Sequence, residues 1–384
     1  MDTGSRYKRV VVKVGTSTLT GGKKRAPDRV FINALASQIA AERNAGRQVV
    51  LVTSGAVGAG VDRLGLTERP RTLPGKQAAA SVGQGVLMSL YADIFANYGI
   101  AVGQVLLTRD DLRHRARYVN ARNTFEALLA GGALPIVNEN DTVATEEIRV
   151  GDNDTLAALV ASLLDADALV LLSDVRGLYD KNPTIHKDAA LLEHVACIDD
   201  QIRAMAGGAG TPGGTGGMHT KLVAAEIATA SGCAMWIADG RRANVVTDCL
   251  HHAPQVGTYF APSPIRLSAR KRWLAWASGK PRGTVIVNAC ARHALEEEGR
   301  SLLPVGVVRA TGTFDAGDFV SVADEAGTVF ARGLTRYGIG DVQRAAGVAT
   351  NRLATVLSPG APTGEIIHRD SLVLLGTTEL APRG

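Results

Sequence analysis

The chain has 384 residues, 46% of them hydrophobic and only 4% aromatic, with a formal net charge of +5. That length accommodates two domains. No apolar run reaches the ~18 residues of a membrane helix and the N-terminus, MDTGSRYKR, lacks a signal-peptide core, so a cytoplasmic protein with no membrane partner is expected. The four cysteines, Cys197, Cys233, Cys249 and Cys290, form no CxxC pair, which suits reduced thiols better than disulfides or zinc. His251 and His252 are adjacent and cannot share one face of a helix or strand.

The first patterned stretch is Arg9 to Leu19, RVVVKVGTSTL. Val10 to Val12 predict a strand buried on both faces, as in a parallel sheet. It carries Lys13 and runs into Gly15-Thr16-Ser17. A cation and free backbone N–H groups therefore stand at the carboxyl end of a strand, where open α/β sheets bind ligands. A snorkelling lysine beside an ordinary strand-to-loop glycine is the plainer reading of this stretch alone.

Pro27-Asp28 opens a helix with apolar residues at Val30, Ile32, Leu35 and Ile39, ending at Gly46. A strand over Gln48 to Thr53 follows, stopping at Ser54-Gly55-Ala56-Val57-Gly58, again a hydroxyl and glycine turn that feeds a helix. Further on, the pattern predicts a long helix over Lys76 to Tyr98 and a strand over Ala101 to Leu107. A helix over Asn120 to Leu129 and a strand over Ala133 to Val137 come next, before Asn138-Glu139-Asn140-Asp141. Alternation of this kind means βαβ units and a mostly parallel sheet.

Residues Thr142 to Val150 are expected to form a hairpin leading to Gly151-Asp152-Asn153-Asp154 and the helix TLAALVASLL. One acid suffices for a helix cap, yet Asp152, Asn153 and Asp154 crowd the same helix start. Such a group would repel a bare phosphate and is better suited to ordering a cation, Mg²⁺ or a substrate ammonium. A buried strand over Ala168 to Leu172 ends at Ser173-Asp174.

GGAGTPGGTGG, residues 207–217, has the composition of a flexible linker. The helix Met218 to Ala230 and the strand Cys233 to Ala238 continue the α/β rhythm beyond it, so it lies inside a domain. A glycine-rich loop entering a helix with Lys221 in its first turn is a phosphate cradle in type. It is neither a Walker A loop nor a dinucleotide fingerprint.

Past Gly257 short alternating runs appear: Thr284 to Val287, Gly306 to Val308, Phe319 to Val322 and Thr328 to Ala331. They predict a small, mostly β domain. The expected organisation is a main domain over 1–260, a linker over 261–280, the β domain over 281–362 and a tail over 363–384. From Pro262 onward the chain carries 15 Lys/Arg against 11 Asp/Glu, a net of +4, densest between Arg266 and Arg282. This is compatible with a solvated linker face, or with RNA.

Two lysines, glycine-rich turns at strand ends and an acid-rich helix start suit phosphoryl transfer, a reaction that asks mainly for positioning and charge stabilisation. A carboxylate acceptor needs no general base, because an acid with a pKa near 4 is already ionised at pH 7. No Ser/His/Asp or Cys/His constellation is evident.

KVGTS at 13–17, VTSGAVGAG at 52–60, VNENDTVA at 137–144, GDNDTLAALVA at 151–161, LSDVRGLY at 172–179 and GTGGMHTK at 214–221 together resemble the amino acid kinase family. GRSLLPVGVVRATGTFDAGDFVSV at 299–322, with ARGLTRY at 331–337, is similar to a PUA domain. The resemblance covers nearly the whole chain. It implies a three-layer amino acid kinase-like α/β fold with a mostly parallel central sheet, plus a small PUA-like C-terminal domain.

By the same resemblance the activity is ATP-dependent phosphorylation of the γ-carboxylate of L-glutamate to L-glutamyl 5-phosphate. That is the first step of proline biosynthesis, with Mg²⁺ as cofactor and proline as feedback inhibitor. Lys13, Asp154 and Lys221 correspond to catalytic positions, the aspartate organising the lysines. Ser54, Asp141 and Asn153 match glutamate-binding positions, with Asp141 opposite the substrate ammonium. Lys13, Ser173, Asp174, Thr215, Gly216, Gly217, Met218, His219, Thr220 and Lys221 match nucleotide-binding positions, and no residue is assigned as a metal ligand. Ser173 stands where threonine is frequent, and the glycine loop carries extra residues around Thr211-Pro212. A homo-oligomer, dimer or tetramer, is implied, and no reductase domain is expected after Gly384. Kinases for acetylglutamate, aspartate or carbamate are the rival readings within the fold, and the PUA-like segment argues against them. RNA binding through the C-terminal domain is the alternative from another class, opposed by a modest net charge and few stacking aromatics.

Overall fold

The computed structural model of the chain describes residues 7–21, 26–144, 153–206, 217–264, 281–358 and 363–375. Two compact units divide it, Met1–Arg266 and Leu267–Gly384. The first opens with β1 (Arg9–Val14), α1 (Thr16–Thr20), α2 (Arg29–Asn44), β2 (Gln48–Val52), α3 (Ala56–Arg63) and α4 (Leu73–Ala96). Next come β3 (Val102–Leu107), α5 (Arg109–Arg113), α6 (Arg115–Ala130) and β4 (Leu134–Glu139). α7 (Asn153–Leu163), β5 (Ala168–Ser173), β6 (His194–Val195) and α8 (Asp200–Met205) follow. α9 (Met218–Ala230), β7 (Ala234–Asp239), α10 (Val245–Leu250) and β8 (Gly257–Phe260) complete it.

The valine run makes β1 the centre of the sheet. It pairs in parallel with β2 on one side and β5 on the other, and Val10, Val11 and Val12 are fully buried. Among the described residues the sheet has eight strands in the order β3-β4-β2-β1-β5-β7-β8-β6, and its one antiparallel pair is β7 with β8. From β1 the chain lays down β2 beside it and β3 at the edge, inserts β4 between those two, and then resumes on the opposite side of β1 at β5. The carboxyl ends of β1 and β5 therefore flank a topological switch point, the crevice where such sheets bind ligands. There the Gly15 N–H donates to the Leu172 carbonyl at 3.2 Å.

Asp28 caps α2, accepting from the N–H groups of Val30 and Phe31, as the Pro27-Asp28 signal predicts. α4 starts three residues earlier than the apolar spacing predicts, because the Thr72 side chain caps it and Pro74 sits in its first turn. α6 begins at Arg115, its polar first turn giving no apolar period to read. The short strands β6 and β8 carry too few residues for a pattern. Residues 145–150 of the expected hairpin lie outside the described residues, as do 265–280, which contain most of the basic run.

α4 is long and apolar enough, by length and composition, to cross a membrane. Its apolar side chains serve the core instead: Leu87, Tyr91, Ile94 and Phe95 are buried beneath it. It crosses α3 at backbone contact, where a Cβ on Gly60 would lie 1.7 Å from the Ala79 oxygen. One on Gly83 would lie 1.8 Å from the Ala56 oxygen. Only glycine at both positions lets the helices meet this closely.

The second unit is a five-stranded sheet in the order β10-β9-β11-β12-β13, formed by β9 (Gly283–Val287), β10 (Val307–Gly312), β11 (Phe319–Ala323), β12 (Val329–Leu334) and β13 (Leu372–Leu374). β9 and β11 are parallel and the other pairs antiparallel. Its own core includes Val285, Phe314, Val322, Phe330 and Tyr337. Residues 363–375, expected as part of a tail, instead supply β13 and bury Ile366 and Ile367 in that core. The apolar pair Ile366-Ile367 is too short to read as a strand, whereas Leu372 to Leu375 is a bounded four-residue apolar run of strand length that the expected tail left unassigned.

Candidate active site

Three elements bring one charge each to a common point. β1 carries Lys13, only 6% exposed; α7 carries Asp154 in its first turn, 2% exposed; α9 carries Lys221 in its first turn, 8% exposed. Lys13 Nζ pairs with Asp154 Oδ1, and Lys221 Nζ pairs with Asp154 Oδ2 at 2.9 Å. The Thr220 hydroxyl donates to the same Oδ2 at 3.4 Å. Burial by itself would raise the Asp154 carboxyl, but the two ammoniums prevail and hold it below the usual carboxylate range. Asp154 is therefore not the solvent-facing cap that its position in the sequence allows. It fixes two buried cations at a separation set by its own width, leaving the group with one net positive charge.

Asn153, next in the chain, turns the other way. Its Nδ2 donates to the Thr53 carbonyl at 2.8 Å, to Ser54 Oγ at 2.8 Å and to Asn138 Oδ1 at 3.0 Å. Ser54 and Gly55 form the turn from β2 into α3, and Gly55 has a φ of 93°, in the left-handed region that glycine enters without strain. Thr53 is held from behind, its hydroxyl 2.7 Å from that of the fully buried Tyr91 on α4. Burial pushes the Tyr91 phenol well above its usual pKa, so it stays protonated.

Asp141 lies half-buried on the turn after β4, which α4 fastens twice: Gln77 Nε2 donates to the Ala144 carbonyl at 3.1 Å, and Ser81 Oγ lies 3.1 Å from Thr142 Oγ1. Ser173 ends β5 beside β1 and donates from its hydroxyl to Asp174 Oδ1 at 3.2 Å, with Asp174 exposed. Gly217 is the N-cap of α9, and Met218, His219, Thr220 and Lys221 form its first turn. Thr215, Gly216 and Asp152 lie outside the described residues.

The sequence thus marks Lys13, Asp154 and Lys221, which meet, and Ser54 and Asn153, which meet. It does not single out Asn138, which orients Asn153, nor Gln84, whose Oε1 accepts from Asn138 Nδ2 at 2.9 Å. Asn138 stands within the VNENDTVA stretch, whereas Gln84 sits inside an apolar helix and has no local signal.

A sequence profile of the amino acid kinase family matches residues 8–239, the stretch that holds every one of these side chains. The chain belongs to the amino acid kinase family. A PUA domain matches residues 283–357 of this amino acid kinase. Among its relatives, the glutamate 5-kinase of Moorella thermoacetica is 51% identical over 372 residues, 97% of each chain. That of Caldanaerobacter subterraneus subsp. tengcongensis is 47% identical over 369 residues, 96% of this chain and 98% of the relative. A more distant likeness is the solved structure of carbamate kinase from Giardia lamblia bound to AMP-PNP. It is 20% identical with a TM-score of 0.49, over 67% of this chain and 100% of that one.

Proposed function

We propose that this kinase transfers the γ-phosphoryl group of ATP to the γ-carboxylate of L-glutamate, giving L-glutamyl 5-phosphate and ADP. The observation that carries the reading is the Lys13–Asp154–Lys221 group at the switch point, with Asn153 and Ser54 beside it. Full-length relatives with the glutamate 5-kinase name support the choice of substrate. A carboxylate oxygen attacks the γ-phosphorus as the bond to the bridging oxygen breaks, and ADP leaves. Glutamate's γ-carboxyl is ionised at neutral pH, so no base is required.

The obstacle is repulsion between two anions. At an effective dielectric of about 20, unit charges 4 Å apart interact by about 4 kcal/mol. Two fixed ammoniums answer a repulsion of that size. Because Asp154 orients them beforehand, they need no rearrangement as charge moves toward the bridging oxygen. The N–H groups opening α9 behind Gly217 add donors for a phosphate. Ser173, Asp174 and residues 215–221 take the nucleotide, and Ser54, Asp141 and Asn153 take glutamate, Asp141 against its ammonium.

Magnesium is the expected companion of ATP. Among the described residues no group of three or more His, Cys, Asp or Glu could hold a metal ion, and both oxygens of Asp154 are engaged by lysines. The described side chains do not fit a dedicated metal cage, so a Mg²⁺ would come on the phosphates themselves. The wider reading adds a place at the first step of proline biosynthesis, inhibition by proline, a homo-oligomer and a cytoplasmic location.

Hydroxylamine trapping of the acyl phosphate tests the proposal, with ATP and separately glutamate, acetylglutamate or aspartate, each with and without proline. Hydroxamate from glutamate alone, suppressed by proline, is the expected result. Product from another acid would move the substrate, and no product from any acid would overturn the reading.

A further inference from the structure

One face of α4 presents Gln77, Ser81 and Gln84 at helical spacing to the turn that carries Asp141. Gln77 and Ser81 hold that turn in place. Gln84 does not. Nine-tenths buried, it gives its Oε1 to Asn138, while its Nε2 is buried with no hydrogen-bond partner among the described residues.

The orientation of this amide is forced from a distance. The Thr53 carbonyl can only accept, so Asn153 must turn its Nδ2 toward it, and the same nitrogen meets Asn138 Oδ1. Asn138 Oδ1 also accepts from the Glu139 N–H at 2.9 Å. The Asn138 nitrogen is left for Gln84, which must answer with its oxygen and keep its nitrogen spare. Flipping any one amide would set donor against donor or acceptor against acceptor. At the other end of the relay Asn153 Oδ1 is also buried with no partner among the described residues. Three linked amides thus end in one spare acceptor and one spare donor, atoms that folded proteins rarely leave unmatched. Gln84 lines a narrow, partly open hollow together with Leu106, Glu139, Asn140, Asp141 and Thr142.

An α-amino acid head group is the complement, an ammonium that only donates and a carboxylate that only accepts. We propose, on the reading that the acceptor is L-glutamate, that Gln84 is a specificity residue whose Nε2 donates to the α-carboxylate of the substrate. A carboxylate entering a hollow lined by Glu139 and Asp141 meets like charge, and the relay holds a donor with no competing partner against it. A site built around such a donor discriminates strongly against analogues that lack the matching group.

The test compares L-glutamate with 4-aminobutanoate, which keeps the amine and the reacting carboxylate but lacks the α-carboxylate. Gln84→Glu retains an oxygen for Asn138 and replaces the spare donor by an anionic oxygen; Gln84→Met removes both polar atoms at similar volume. Each is expected to lower kcat/KM for glutamate about 10- to 100-fold, through KM. KM for ATP and kcat/KM for 4-aminobutanoate should stay unchanged, so that the preference collapses. A preference that survives in both variants, whether activity falls on both acids together or on neither, overturns the proposal. So does a wild-type chain that favours glutamate by less than tenfold, a result that needs no variant to fold. A wild-type chain inactive on glutamate overturns the proposed function itself and this inference with it.

Discussion

Asp154 is surrounded by two ammoniums and a hydroxyl, and its neighbours set what each substitution does. Lys221→Ala leaves Lys13 on the carboxylate, so no buried charge is orphaned and the fold should persist. kcat should fall about 10²- to 10³-fold, read by the hydroxamate assay. Asp154→Asn is different, because two buried ammoniums then face each other without a counter-charge. A loss of about 3–5 kcal/mol is expected by denaturant titration. The pH dependence has a definite sign. Asp154 is held below its unfolded value, so its stabilisation is present above about pH 4 and is lost as pH falls through the folded value. Thermal melts from pH 7 to pH 3 should show that loss in the wild type and a smaller one in Asp154→Asn. Asp141→Ala should raise KM for glutamate far more than KM for ATP; an equal rise would remove Asp141 from the ammonium.

The elements that carry these residues are fixed by how closely helices and strands approach. α3 opens at Ala56, immediately after Ser54-Gly55, and its line against α4 depends on Gly60 and Gly83. Gly83→Ala would set a methyl group 1.8 Å from the Ala56 oxygen and 2.5 Å from the Gly60 nitrogen, both backbone atoms. A loss of about 3 kcal/mol is expected, with a raised KM for glutamate as α3 and the Ser54 turn shift. Gly85, two residues on, has nothing within 4 Å of a built Cβ. Gly85→Ala should therefore stabilise the helix by up to about 1 kcal/mol, and urea titration of the pair should give opposite signs. Residues at helix and strand ends are readable from a sequence because caps and turns are local. Asp28, Gly55 and Gly217 each mark a terminus in this way. Gln84 is not readable, since the side-chain hydrogen bond that orients it crosses 54 positions to Asn138.

Each of the two units has its own core, and every described side chain of the candidate site lies in the first. A chain ending at residue 264 should keep most of its hydroxamate turnover; its loss would mean that the second unit completes the site. The run of valines in β1, the alternation of strands and helices, the mostly parallel sheet and the small β domain all follow from local pattern. So do the termini on which Lys13, Asp154 and Lys221 stand. Tertiary structure alone decided that β5 flanks β1, and so that Lys13 reaches an aspartate 141 positions away and Lys221 reaches it across 67. It also drew residues 372–374 into the second sheet and gave the Asn153–Asn138–Gln84 relay its single direction. Periodicity and capping act within a turn or a strand of sequence, whereas strand order, register and the sense of a buried amide are set by all the elements packing at once.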